Sequence, residues 1–234
     1  MLLQEPPGVL DWTRSFLFVA FIFILFIGSS LLLLKARKTE FEGARKILRG
    51  YAMFGICFAF TRICFMFSSY DQFINGNPEG GTFLSSVWGV TAYAITMVSI
   101  VFVFRVVEHY ILKIKPIFAT IALISVGIDV LALIMILITR DIAPKDIALQ
   151  VQNYVAPVLG VVILVLYIIV IKNSAGDIKR KAAITFIGVV LILLSILFDA
   201  TFMNNILLAL GDIRALLTPL CGIAGVLLVF VSIK

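Results

Sequence analysis

Seven apolar runs punctuate the chain: Ser15–Leu34, Tyr51–Ser69, Phe83–Phe104, Pro116–Thr139, Val155–Ile171, Ala183–Phe202 and Ala215–Ile233. Each is comparable to the ~20 residues a helix needs to cross the hydrocarbon core of a bilayer. Polar residues are confined to short connections, which leave no room for a soluble domain. The pattern predicts an all-α fold, a single polytopic seven-transmembrane-helix bundle over residues 1–234. The first run follows a short leader, Met1–Arg14, and is closed by Lys35, Arg37 and Lys38, so it reads as an uncleaved span with a stop-transfer signal.

The polar positions also carry an orientation. The connections Lys35–Gly50, Arg105–Lys115 and Lys172–Ala182, with the terminal Lys234, hold fourteen of the nineteen basic residues. The alternate side holds Arg14, Arg140, Lys145 and Arg214. By the positive-inside rule the N-terminus is outside and the C-terminus cytoplasmic, in the cell membrane. Trp12, Tyr70, Trp88 and Tyr154 fall where outer interfacial anchors belong, and Tyr51 and Tyr110 where inner ones do.

Composition agrees with the pattern. The chain is 62% hydrophobic and 14% charged, against about 25% charged in a soluble domain, and its mean hydropathy is +1.15. Its surroundings are therefore a lipid bilayer, and the net charge of +6 reflects membrane orientation and not nucleic-acid binding. The basic inner loops offer a surface for anionic lipid head groups or for a cytoplasmic or membrane partner protein. The sequence does not define an oligomeric state. Cys57, Cys64 and Cys221 lie inside apolar runs without paired spacing and read as small core residues.

A gapless shift of 133 positions lays Gly43 on Gly176, Gly55 on Gly188 and Gly89 on Gly222, and Val98-Ser99-Ile100 on Val231-Ser232-Ile233. The coincidences suggest an internal duplication of three helices plus one plus three, with the fourth as linker. Apolar composition alone accounts for part of the match.

Candidate chemistry centres on Arg62, a charge inside the second run. Such a group is expensive in hydrocarbon unless it faces a partner or water. Gly55, Ala59, Arg62 and Met66 recur at helical spacing, so small residues share its face and turn it inward. At 1.5 Å per residue Arg62 lies about 16 Å from the inner start of its helix, Asp129 roughly 20 Å along the fourth and Asp199 about 25 Å along the sixth. Either carboxylate could then meet the guanidinium. Ser125 and Ser195 precede the two aspartates by one turn, and Gly89, Tyr93 and Thr96 form a stripe on the third helix. Arg62, Asp129, Asp199, Tyr93, Thr96 and Ser195 are thus the candidate ligand-binding or buried polar cluster. Its functional reading is a site for an anionic or zwitterionic ligand, and its bland reading is a static ion pair that fixes helix register.

Other chemistries lack their residues. A lone histidine, His109, in a basic connection supplies neither bis-histidine haem ligation nor a multi-histidine metal site. The seventh run has no internal lysine for a retinal Schiff base, and no Ser, His and Asp set lies in the spans. The turn cluster Asn75–Gly81 has no lysine-bearing helix start after it, so it is no phosphate loop. No catalytic residue, cofactor or metal is assigned, and the chain reads as non-enzymatic.

Gly50-Tyr51, Phe60-Thr61-Arg62-Ile63 and Ser68-Ser69-Tyr70-Asp71 resemble a pattern in uncharacterised archaeal seven-helix membrane proteins, which look broadly like the seven-helix sensor modules of microbial signalling proteins. The resemblance covers one helix and its flanks. It implies a sensor or receptor-like role, or that of an accessory subunit. Sensor modules are followed by a cytoplasmic effector, whereas this chain stops at Lys234, so a signal would pass through the inner loops to a separate protein. The alternative is a small-solute transporter built on the three-plus-one-plus-three repeat.

Overall fold

The computed structural model describes residues 9–74, 82–199 and 213–233. Among these the fold is all-α. Seven helices run in order: α1 (Val9–Lys38), α2 (Glu42–Ile74), α3 (Phe83–Phe104), α4 (Ile117–Thr139), α5 (Pro144–Asn173), α6 (Gly176–Asp199) and α7 (Ile213–Ile233). Each contains a stretch long and apolar enough to cross a membrane. The turn cluster at residues 75–81, Asn204 and Asn205 lie outside the described residues.

The helices outrun their apolar cores. α2 begins at Glu42 and not Tyr51, and α5 at Pro144 and not Val155. Hydrophobicity marks the hydrocarbon, but a helix continues while its backbone stays paired, and polar first turns allow that. On the extension of α2, Glu42 and Lys46 pair at 2.6 Å, and near the start of α6 Asp177 and Lys181 pair at 3.5 Å, both at the i, i+4 spacing that supports exposed helix. Beyond Phe104 the third helix does not end in a loop, as its apolar run suggested. It widens into a π-helix, Arg105–Ile111.

The chain divides into two compact units, one formed by Leu25–Asn173 and the other by the described residues before and after that segment. Neither boundary falls at the fourth helix. In the larger unit α2 packs on α3, α3 on α4 and α5, and α4 on α5. Val90, Ala132, Ile136 and Ala148 form a core there, flanked by Phe83, Val87, Tyr93 and Leu133. The second part of α1 contributes Leu25, Ser29, Leu32 and Ala36 at helical spacing, all buried. Opposite faces stay apolar and open, as on α4, where Ile124, Leu131 and Ile138 are exposed. That suits hydrocarbon as the surrounding medium.

In the smaller unit α6 and α7 meet backbone to backbone. A Cβ on Gly188 would stand 2.7 Å from the Gly225 carbonyl oxygen, and one on Gly225 2.6 Å from that of Gly188. Only residues without a side chain permit that approach. Gly222 faces the Phe21 ring in the same way, its Cβ position 2.8 Å from it. The glycines of the last helix thus serve close packing.

The expected anchors divide. Tyr70 and Tyr154 are exposed, and Trp88 lies against Phe67 with ring centroids 5.0 Å apart. Tyr51, expected at an interface, is instead buried and its hydroxyl meets that of Tyr167. Both rings are buried within the larger unit, where a phenol hydroxyl needs a partner, and each supplies the other's.

Candidate functional site

Arg62 is 4% exposed, so the expectation that its face turns inward agrees with the fold. Ala59 is fully buried beside it, while Met66 is exposed, and the buried stripe continues through Thr61, Cys64, Ser68 and Asp71. The guanidinium carbon lies 5.1 Å from the Phe58 ring centroid, one turn back along α2. Side chains on a helix lean toward its N-terminus, so Arg62 reaches down its own helix and not up it. Cation–π contact with a desolvated ring is favourable by about 1–2 kcal/mol.

Asp129 is completely buried on α4, and neither carboxylate oxygen has a hydrogen-bond partner. The anticipated pairing of Arg62 with Asp129 is therefore not formed. The packing gives the reason: α4 lies mainly against α3 and α5, whereas α2 packs chiefly on α3 and the π-helix. Asp199 closes α6, and its side chain lies outside the described residues.

Thr96 is buried on α3, donating to the Ala92 carbonyl at 2.8 Å and standing 3.4 Å from the Thr61 hydroxyl of α2. Tyr93, partly buried, meets Phe65 of α2 edge-on at 5.6 Å and flanks the Val90 core. Ser195 is fully buried in the smaller unit, donating to the Thr218 carbonyl at 2.7 Å. Arg62, Tyr93, Thr96 and Asp129 thus belong to the larger unit, and Ser195 and Asp199 to the smaller. Within the larger unit Thr61 and Thr96 meet, and Tyr93 joins α2 to the α4 core.

Two carboxylates not singled out by sequence have definite work. Asp71 near the end of α2 accepts from the Ser85 amide at 3.0 Å and from the Thr82 hydroxyl. Thr82 is itself the N-cap of α3, in a capping box with Ser85. Glu108, fully buried in the π-helix, accepts from the amides of Phe118 at 3.0 Å and Ala119 at 2.9 Å. Those are first-turn amides of α4, whose own N-cap is Pro116 and has no side-chain bond. Free N–H groups and the positive end of the helix dipole both favour a carboxylate there. Each acid sits near the end of one helix and closes the start of the next. A single acid in a basic connection gives no sign of this, because only the wide π turn aims Glu108 at α4; His109 beside it is exposed.

No family model, curated protein or solved structure matches the chain. Its class follows from its own helices: it is a multi-pass membrane protein, with seven candidate spans among the described residues.

Proposed function

We propose that this protein is a non-enzymatic, sensor-like component of the cell membrane, working by binding and helix repacking, with its N-terminus outside. The observation that supports it most is the π-helix at the end of α3. π-helical segments recur at functional sites, since one extra residue per turn is a discrete alternative to α geometry. Here the segment lies between the polar stripe of α3, where Thr96 meets Thr61 beside Arg62, and the basic connection leading to α4. Through Glu108 it also holds α4. A ligand with anionic or zwitterionic character near Arg62 would shift α3, and a change of register in the π-helix would carry that shift to the basic loop. The resemblance of α2 to uncharacterised archaeal seven-helix membrane proteins, which look broadly like microbial sensor modules, supports the same reading.

The alternative reading, a small-solute transporter, draws on Asp129, since buried acids in spans mark ion pathways. Proteoliposomes separate the two, with labelled amino acids and dicarboxylates as probes. The sensor reading expects no uptake, but a thermal shift with one of these probes that Arg62→Leu abolishes. Uptake lost in Arg62→Leu would end it, and absence of any shift would end the assignment of ligand binding to Arg62.

A further inference from the structure

Asp129 lies at the middle of α4, roughly 18 Å along the axis from Ile117 and 15 Å from Thr139 at 1.5 Å per residue. It is fully buried, and both its oxygens lack a hydrogen-bond partner. A second buried acceptor without a partner is the side-chain oxygen Oε1 of Gln152 on α5. The register of the two helices sets these groups within about one helical turn of each other. α4 and α5 are consecutive spans joined by a short connection, so they run antiparallel, and Ala132, Ile136 and Ala148 pack in one cluster. One turn forward along α5 from Ala148 is Gln152, and just under one turn back along α4 from Ala132 is Asp129. In an antiparallel pair those steps move in the same direction, on the faces the helices already turn to each other. Ser125, one turn further back on α4, is buried and donates its proton to the Ile121 carbonyl at 3.2 Å. Its oxygen remains an acceptor.

The surroundings offer little to neutralise the carboxylate. α3 carries no charged residue, and its titratable group nearest this level is Tyr93, at the edge of the same core. On α5 the nearest charges are Lys145 and Asp146, in its first turn and about two turns from Gln152. α4 has no other ionisable group, and Glu108 at its start is occupied by amides. A bare carboxylate in such a place is strongly unfavourable, and a cation bound to it removes that cost.

We propose that Asp129, Gln152 and Ser125 form an intramembrane site for a small monovalent cation, either a proton on Asp129 or a sodium ion shared by the side-chain oxygens. Ionisable groups buried within spans mark ion pathways and proton relays. The site involves neither Arg62 nor the π-helix, so it stands whether the protein senses or transports.

The test uses the full-length protein in liposomes and a membrane-permeant carbodiimide, which attacks protonated carboxyls in apolar surroundings. Modification of Asp129 is read by peptide mass. Labelling is expected to fall about tenfold per pH unit once the carboxyl ionises. Slower labelling in sodium chloride than in choline chloride at one pH identifies sodium as occupant; pH dependence without sodium protection identifies the proton. Labelling indifferent to both, or absent at every pH in sodium-free buffer, overturns the site. Asp129→Asn is expected to keep the fold and lose the sodium dependence of its thermal midpoint, together with the part of its pH dependence that Asp129 contributes. Gln152→Leu, which leaves the carboxyl in place, is expected to weaken sodium protection or shift the pH profile by about tenfold in apparent affinity. An unchanged profile in Gln152→Leu overturns the proposal even if Asp129→Asn fails to fold.

Discussion

A buried charge is legible in sequence as a residue but not as a contact. Arg62 and Asp129 announce themselves because each interrupts an apolar run, and both are buried. That they do not bond follows from the lean of Arg62 over Phe58 and from α2 packing chiefly on α3 while α4 packs on α3 and α5. Neither is written in spacing along one helix. Arg62→Ala is expected to lower the thermal midpoint in detergent, because the ring contact and a buried aliphatic stem are both lost, about 2 kcal/mol or more together. An unchanged midpoint would show that the residue contributes no packing. Glu108 makes the opposite case, since nothing in the sequence around it suggests burial. Glu108→Ala should destabilise by about 1–2 kcal/mol, the usual worth of a lost cap. Glu108→Gln, which keeps an acceptor oxygen but loses the charge, should lie between Ala and wild type on the same thermal scale.

Elements were predicted in number and order, and their ends were not. Apolar runs report where hydrocarbon begins, whereas the ends of α2 and α5 are set by backbone pairing that continues into polar turns. Helix partners were equally hidden. Glycine recurrence suggested a duplication, and only the fold matches Gly188 to Gly225 as a contact between α6 and α7. The kind of atom opposite each glycine decides how substitution acts. A methyl at Gly225 meets a carbonyl oxygen of the facing backbone at 2.6 Å, which cannot move without parting the helices. A methyl at Gly50 clashes with the Val106 side chain, a Cγ2 at 2.1 Å, which can change rotamer, and the Phe102 carbonyl oxygen stands at an ordinary contact distance of 3.8 Å. Gly225→Ala should therefore lower stability by about 1–3 kcal/mol, and Gly50→Ala by less, as ranked by thermal midpoints of the purified proteins. Equal losses would mean that the Val106 side chain has no room to turn.

At the scale of the whole molecule, seven candidate spans among the described residues and the bias of basic residues predict a topology that labelling can check. With the native cysteines replaced, a cysteine at Asn77 or Asp141 is expected to react with an impermeant maleimide from outside intact cells. One at Thr39 should react only after permeabilisation. The reverse pattern would invert the assignment of sides.

The two carboxylate caps have a mechanical corollary. α3 is fastened at its beginning by Asp71 from the preceding helix, and its continuation fastens the beginning of the following one through Glu108. Turning α3 about its own axis would unhook a clasp at each membrane surface at once. A disturbance that turns this helix is therefore felt by both sequence neighbours, α2 through Asp71 and α4 through Glu108.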